Sequence, residues 1–365
     1  MKKIGLITFH DTTNFGSFLQ TFGLYKAIND MGYTCKVLDY KCEAINNTEL
    51  PLKKPVSFTL RNIVKFILFE PIKRKKYIAF KNELNKMMNL SERYDKSSIK
   101  FANNEFDIFI SGSDILWDLN LTKGDTSYFL DFVDSDKKKI AFSTSIGDKW
   151  DGKNLEIAKS LINNYDMIAL REKESIGWLE QLTTKKVYSV CDPTMLLSKE
   201  YWNKYAKSSK MEKNNKTKKY ILVYFPSEII INEAKEFAKS NDLEVWVINY
   251  GLKLKGVKNI RPCFVADFLS LEKNASLILT SSYHGTLFAI YFNVPFYAYL
   301  RENSHNVRFN DLAKKLNIED RIRDNGTSTK INLKMNYNLI NEYVEEIRRE
   351  SLQLLKENLE SYVNM

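Results

Sequence analysis

The chain is poor in the residues that announce the commoner chemistries. Its 365 residues hold four cysteines (Cys35, Cys42, Cys191 and Cys263), three histidines and seven prolines. No two cysteines form a CxxC pair and none stands near a histidine at metal-ligand spacing, so a zinc ribbon and a disulfide framework are not expected. The four read as reduced, mostly buried thiols of a cytosolic protein. There is no G-x-x-x-x-G-K-[ST] phosphate loop, no G-x-G-x-x-G fingerprint and no G-x-S-x-G elbow. These absences argue against P-loop nucleotide hydrolysis, a simple dinucleotide site and an α/β-hydrolase triad. No apolar run reaches the ~18 residues of a membrane span. Met1-Lys-Lys-Ile4 leads straight into a short strand rather than a long apolar leader. The expected location is cytoplasmic, with any membrane contact peripheral.

What is present fits a soluble protein with room for two domains. The hydrophobic share is 44% and the formal net charge +10. That balance favours anionic partners such as phosphates, acidic sugars or a membrane surface. No nucleic-acid reading motif accompanies it, and nucleic acid is not an expected partner.

The chain opens with a β-α-β unit. Ile4 to Phe9 reads as a buried strand, Ser17 to Met31 as a helix with an apolar face, and Lys36 to Tyr40 as the next strand. A right-handed crossover and a parallel sheet follow from that order. Residues 41–100 differ: lysines and arginines alternate with Phe58, Ile63, Phe66 and Ile67, broken by Pro71. The plain reading is a pair of helices on the sheet with a solvated basic face. The functional reading is peripheral contact with anionic membrane through 53–81.

Strands then recur at Phe106 to Ser111, Lys139 to Ser143, Asp166 to Leu170 and Val187 to Cys191. Asp134-Ser-Asp136 matches an acidic DxD, but its lysine-rich context reads as a solvated turn. Lysine and asparagine dominate 198–219, which reads as a linker. A second β-α series starts at Tyr220, and Tyr337 to Tyr362 forms one long amphipathic helix. The expected organisation is an α/β fold. An N-terminal Rossmann-like domain spans 1–197, with the basic helical excursion at 41–100. A linker at 198–219 leads to a C-terminal Rossmann-like domain at 220–335. A final helix at 336–365 packs back across the domains.

One stretch concentrates the chemistry. Leu277 to Thr280 is an apolar run of strand length; Ser281-Ser282-Tyr283-His284-Gly285-Thr286 then opens a helix. In open α/β sheets, ligands bind at the carboxyl ends of strands, where helix N-termini meet anions. His284 can move a proton near neutral pH. Arg171, at another strand end, suits a carboxylate or phosphate because its planar fork binds either through two hydrogen bonds. On this reading the loops of the two domains meet across a cleft.

Five short segments, in order, resemble the polysaccharide pyruvyl transferase family. They are Asn14-Phe-Gly16-Ser-Phe-Leu-Gln20, Gly112-Ser-Asp114-Ile-Leu-Trp117, Arg171-Glu172 with Cys191-Asp192-Pro193, Ser282-Tyr-His284-Gly285, and Asn306 to Arg308 with Asp320-Arg321. The resemblance implies two Rossmann-type domains in a GT-B-like arrangement. It implies transfer of a pyruvyl group from phosphoenolpyruvate, as co-substrate and without a cofactor or metal, to sugar hydroxyls of a surface polysaccharide or its lipid-linked precursor. His284 would be the catalytic acid/base. Arg171 and the backbone at Gly285 and Thr286 would bind the donor, while Asn14, Ser17 and Asp114 would lie on the acceptor side. Many relatives carry arginine two residues before this histidine, where this chain has Ser282. Either Arg308 or Arg301 supplies that charge, or the donor differs. Two other readings remain open at this point: a GT-B glycosyltransferase using a nucleotide sugar, and a catalytically silent glycan- or anion-binding protein.

Overall fold

The computed structural model describes residues 2–147, 149–301, 306–324 and 330–363. The chain divides into two compact units. Unit 1 comprises residues 1–50, 81–197 and 344–365; unit 2 comprises 51–80 and 198–343.

Unit 1 is built on seven parallel strands: β1 (Lys3–Ile7), β2 (Thr34–Tyr40), β3 (Leu90–Tyr94), β4 (Ile108–Ser111), β5 (Lys138–Thr144), β6 (Met167–Leu170) and β7 (Val187–Ser189). Their order is β3-β2-β1-β4-β5-β6-β7. The chain winds one way from β1 and then the other, so the order reverses between β1 and β4, which pair from Ile4↔Ile108 to Ile7↔Ser111. Its helices are α1 (Phe15–Asp30), α2 (Glu43–Glu49), the end of α3 (Leu60–Met87), whose first part belongs to unit 2, α4 (Gly152–Ile162) and α5 (Lys173–Leu179).

Helix α1 buries 13 of its 16 residues. Phe18, Leu19, Phe22 and Leu24 are at most 2% exposed, and burial of each such side chain contributes about 1.5–3 kcal/mol. Gly23 lets the helix approach the turn at Pro193–Leu196: a Cβ there would lie 2.4 Å from the Pro193 carbonyl oxygen.

Unit 2 repeats the plan. It holds α6 (Lys199–Ala206), α7 (Glu212–Lys216), β8 (Tyr220–Tyr224), α8 (Glu228–Asn241), β9 (Glu244–Ile248), β10 (Lys258–Ile260), α9 (Val265–Asn274) and β11 (Leu277–Thr280). After them come α10 (Tyr283–Phe292), β12 (Phe296–Tyr299), α11 (Val307–Leu316), β13 (Ile322–Arg323) and the start of α12 (Tyr337–Val363). The sheet order is β10-β9-β8-β11-β12-β13, again all parallel, reversing between β8 and β11. Trp246 stacks on Tyr220 at 4.0 Å. All ten residues of α10 are buried, which is why this helix shows no polar stripe. Glu272 on α9 is fully buried, and neither carboxylate oxygen bonds a described residue. Burial pushes its carboxyl well above the usual range.

Three features differ from the sequence reading. Residues 41–100 hold not two amphipathic helices but the short α2, a single 28-residue helix running through Pro71, and the sheet strand β3. Of this stretch, 51–80 belongs to unit 2. Residues 198–219 are not an open linker. Ser198 caps α6, Trp202 is fully buried 5.2 Å from Phe288, and Asn215 donates to Ser270 at 2.9 Å. Their apolar spacing, Trp202, Tyr205 and Ala206, is helical but is diluted by lysines. Helix α12 is divided, Tyr337–Tyr343 lying with unit 2 and Val344 onward with unit 1. In unit 1 the Ser351 hydroxyl accepts the buried Cys191 N–H at 2.9 Å, and Lys2 donates to the Tyr362 carbonyl at 2.6 Å.

Candidate active site

In both units the point where strand order reverses gathers the polar residues. This is the expected ligand position of a doubly wound sheet.

In unit 1 the reversal lies between the loop after β1 and the loop after β4. Ser17, on the first turn of α1, donates to Asp114 Oδ2 at 2.6 Å. Asp114 itself is held at φ 77°, a left-handed conformation uncommon outside glycine, with Oδ1 accepting the Ile115 N–H at 3.0 Å. Thr8 donates to the Ser113 carbonyl at 3.3 Å, and Gln20 Nε2 lies 3.1 Å from the Thr8 hydroxyl. The structure thus brings Ser17 and Asp114 together, 97 positions apart in sequence. Asn14 stands beside them, but its side-chain oxygen is occupied as the α1 N-cap, accepting from Gly16 N at 2.8 Å and Ser17 N at 3.3 Å. That oxygen thus serves as a helix cap.

A histidine not singled out from the sequence lies in the same loop. His10 is 2% exposed. Its Nε2 lies 3.1 Å from Asp39 Oδ1 and its Nδ1 3.3 Å from the Thr8 carbonyl. Both ring nitrogens face oxygen acceptors. Arg93 binds the same carboxylate through two nitrogens, at 3.0 and 3.2 Å. Burial pushes the Asp39 carboxyl up, but the hydrogen bonds from His10 and Arg93 outweigh it and hold it well below the usual range. The available signal was a strand-end histidine and an aspartate interrupting the apolar run of β2.

Arg171 does not act as an open anion clamp here. It is 3% exposed, with Nη1 donating to Asp192 at 2.7 Å and Nε to Glu172 at 3.2 Å. Asp192 also accepts from Thr194 N and Oγ1, fixing the turn against which Gly23 packs. The donor-binding expectation for Arg171 gives way to a buried ion-pair set that ties β6 to that turn. Likewise, Asp134 and Asp136 lie exposed at the amino end of β5, away from the ligand edge. Among the described residues no group of three His, Cys, Asp or Glu could hold a metal.

In unit 2 the reversal lies between the loop after β8 and the entry to α10. Thr280 donates to the Tyr224 carbonyl at 2.9 Å, and Ser281 to that of Phe225 at 3.0 Å. Phe225, directly after β8, sits at φ 58°, a left-handed conformation like that of Asp114 in the loop after β4. Ser282 is the N-cap of α10, its hydroxyl accepting the Gly285 N–H at 3.2 Å. The Thr286 N–H and hydroxyl both donate to the Ser282 carbonyl, at 3.0 and 3.1 Å. The N–H groups of Gly285 and Thr286, expected to meet a bound anion, instead close the first turn of the helix. Gly285 also has a steric reason, since a Cβ there would lie 2.8 Å from Thr280 Oγ1 and 3.2 Å from Tyr224.

His284 is 7% exposed, on the first turn of α10, with its ring edge-on to Tyr283 at 5.6 Å. Two arginines converge on this turn. Arg301 donates from Nε to Ser281 at 3.1 Å and lies 4.4 Å over the Phe225 ring. Arg308 lies 5.2 Å over the Tyr283 ring. Asn306 grips Arg301 on both sides of its backbone, accepting from its N–H at 3.3 Å and donating to its carbonyl at 2.8 Å. Position 282 carries serine, and Arg301 reaches the adjacent Ser281. Arg321, in contrast, is buried and donates to the Asn332 and Lys334 carbonyls, a structural use.

Two Rossmann-like units, each with its polar loops at the reversal point, and a long C-terminal helix define a protein of the GT-B fold class. Solved structures share it. A UDP-GlcNAc 2-epimerase from Neisseria meningitidis, bound to UDP-GlcNAc, superposes with a TM-score of 0.52 at 11% identity, covering 99% of this chain and 100% of that one. A putative UDP-N-acetylglucosamine 2-epimerase from Listeria monocytogenes gives 0.51 at 12% identity, covering 97% and 90%. That from Rickettsia bellii gives 0.50 at 12%, covering 100% and 97%. At such identities the likeness establishes fold alone. None of the curated proteins matches the chain. A family model does: that of polysaccharide pyruvyl transferases matches residues 14–303, and the chain belongs to that family.

Proposed function

We propose that this protein transfers a pyruvyl group from phosphoenolpyruvate to two hydroxyls of one sugar, on a surface polysaccharide or its lipid-linked precursor, forming a ketal. The observation that carries the reading is the convergence of Arg301 and Arg308 on the turn that holds His284. A donor with a carboxylate and a phosphate needs two cationic contacts beside its reactive carbon. Guanidinium groups suit both anions, and the family arginine absent at Ser282 is replaced by Arg301 beside it.

In the proposed course His284 gives a proton to the donor's methylene carbon, making it a methyl group. A sugar hydroxyl oxygen bonds to C2, and its proton restores His284. The C2–O bond to phosphate then breaks, the second hydroxyl closes the ketal, and its proton leaves with the phosphate. Arg301 and Arg308 stabilise the charge on the departing phosphate. No cofactor enters this balance.

The test is phosphate release. Incubation with phosphoenolpyruvate and candidate glycans should release phosphate only with an acceptor present, and His284→Gln should abolish it. Phosphate release that persists in that variant would remove His284 from the mechanism. The fold shared with an epimerase bound to UDP-GlcNAc supports a second reading, a transferase using a nucleotide sugar. Stabilisation by UDP, with none by phosphoenolpyruvate, would favour that reading. Stabilisation by phosphoenolpyruvate without turnover on any glycan would favour a silent anion-binding protein.

A further inference from the structure

Among the described residues, large apolar side chains standing in solvent concentrate in one place. Of the 13 with strong exposure, seven lie between Val56 and Ile78. Val56, Phe58 and Leu60 are 81%, 80% and 78% exposed. On α3, Leu60, Val64, Ile67, Leu68 and Ile78 recur at helical spacing and all face outward. An amphipathic helix packed on a core shows the opposite pattern, with its apolar stripe inward. A contiguous exposed apolar stripe marks a surface made to be covered.

The same segment is strongly cationic. Residues 51–80 hold eight lysines and arginines against one acid, Glu70. Glu70 is buried and accepts the Leu52 N–H at 2.7 Å, while Arg74 donates to the Leu52 carbonyl at 3.2 Å. Those bonds pin the lead-in to the helix, which holds the chain ahead of α3 in place. Arg61, Lys65 and Lys75 are exposed and flank the apolar stripe. No helix among the described residues is long and apolar enough to cross a membrane.

We infer that residues 53–81 form a docking surface for an anionic lipid bilayer, with α3 lying in the interface plane. Val56, Phe58, Leu60 and Ile67 enter the headgroup and acyl boundary, and Arg61, Lys65 and Lys75 meet lipid phosphates. The charge decides the occupant. A second copy would place the same cations opposite one another in a two-fold contact, which like-charge repulsion disfavours. Anionic lipid satisfies the apolar stripe and the cations at once. The surface would hold the protein where a lipid-linked acceptor resides, but its argument does not depend on the transfer reaction.

The experiment is co-sedimentation of the full chain with vesicles of phosphatidylcholine alone or mixed with phosphatidylglycerol, without donor or glycan. Binding is expected to the anionic vesicles only, and to fall on adding salt. The variant Ile67→Asp/Leu68→Asp should lose it at unchanged melting temperature. Each of Arg61→Ala, Lys65→Ala and Lys75→Ala should weaken it roughly fivefold, as expected per cation near a charged leaflet. These lysine and arginine variants keep the question answerable if the aspartate variant fails to fold. Equal binding to neutral vesicles, or none to anionic ones, overturns the inference. So does a wild-type dimer that the aspartate variant converts to a monomer. Transferase activity is read separately, so failure of either proposal leaves the other standing.

Discussion

The two strand-reversal loops use the same backbone device for opposite electrostatics. Each places a left-handed residue in the loop after a strand, Asp114 after β4 in unit 1 and Phe225 after β8 in unit 2. In unit 1 the polar groups are spent largely on one another: Ser17 on Asp114, His10 and Arg93 on Asp39, Arg171 on Asp192. In unit 2 the cations lie on aromatic rings, Arg301 on Phe225 and Arg308 on Tyr283. Stacking engages the face of a guanidinium, whereas ion pairing engages its in-plane donors. Arg171 is thus held through its in-plane donors, whereas Arg301 and Arg308 lie with their guanidinium faces against aromatic rings.

The sharpest way to break that comparison is to exchange the two histidines' expected phenotypes. His284→Gln should lower kcat by at least about a thousandfold, within the range of a lost acid/base group, with the melting temperature retained. His10→Gln should instead lower the melting temperature and leave kcat within about tenfold. The reverse outcome in steady-state kinetics and calorimetry would place the chemistry in unit 1.

Buried acids give the next largest effect, with opposite pH signs. Asp39 is held below its ordinary value, so its contribution is present above the unfolded carboxylate range near 4 and lost as pH falls through the folded value. Asp39→Asn should therefore cost about 3 kcal/mol at pH 7 in denaturant unfolding, and less at pH 3. Glu272 is raised, so stability is full below the unfolded range and declines as pH rises. Glu272→Gln should stabilise by an amount that grows by about 1.4 kcal/mol per pH unit above ~4, until the folded carboxyl ionises. A flat pH dependence would mean that Glu272 reaches solvent or a partner.

Smaller changes separate the arginines from the cap. Arg301→Ala and Arg308→Ala should each raise the KM for phosphoenolpyruvate about tenfold, the scale of one lost charge-assisted contact, with little change in melting. Arg171→Ala should do the opposite. At the bottom of the scale, Asn14→Ala should cost about 1 kcal/mol in unfolding, as for a lost N-cap. A kinetic defect larger than that would restore Asn14 as a ligand contact.

Periodicity made most of both sheets legible, because β1, β4, β8 and β11 are apolar runs, with β1, β4 and β11 leading into a serine or threonine and β8 into Phe225-Pro226. The edge strands β10 and β13 were not legible. They have three and two residues, too few to show a period. Strand β3, Leu-Ser-Glu-Arg-Tyr, buries only Tyr94 and lacks an apolar run. At the candidate site, motif order located His284, Ser17 and Asp114, but not what their neighbours do. Arg171 and Arg301 look alike in sequence. Only the partners supplied by distant segments, Asp192 for one and Phe225 for the other, separate a strut from an exposed cation.

The division of α12 has a consequence for biosynthesis. Unit 1 is assembled from three stretches, and the last of them supplies Ser351 to the buried Cys191 N–H and the Tyr362 carbonyl to Lys2. On the ribosome β1 is made well before those partners, which follow only after every strand of unit 2. Unit 2 can gather most of its strands while the earlier sheet still waits for its final helix, so the order of folding on the ribosome need not follow the order of synthesis.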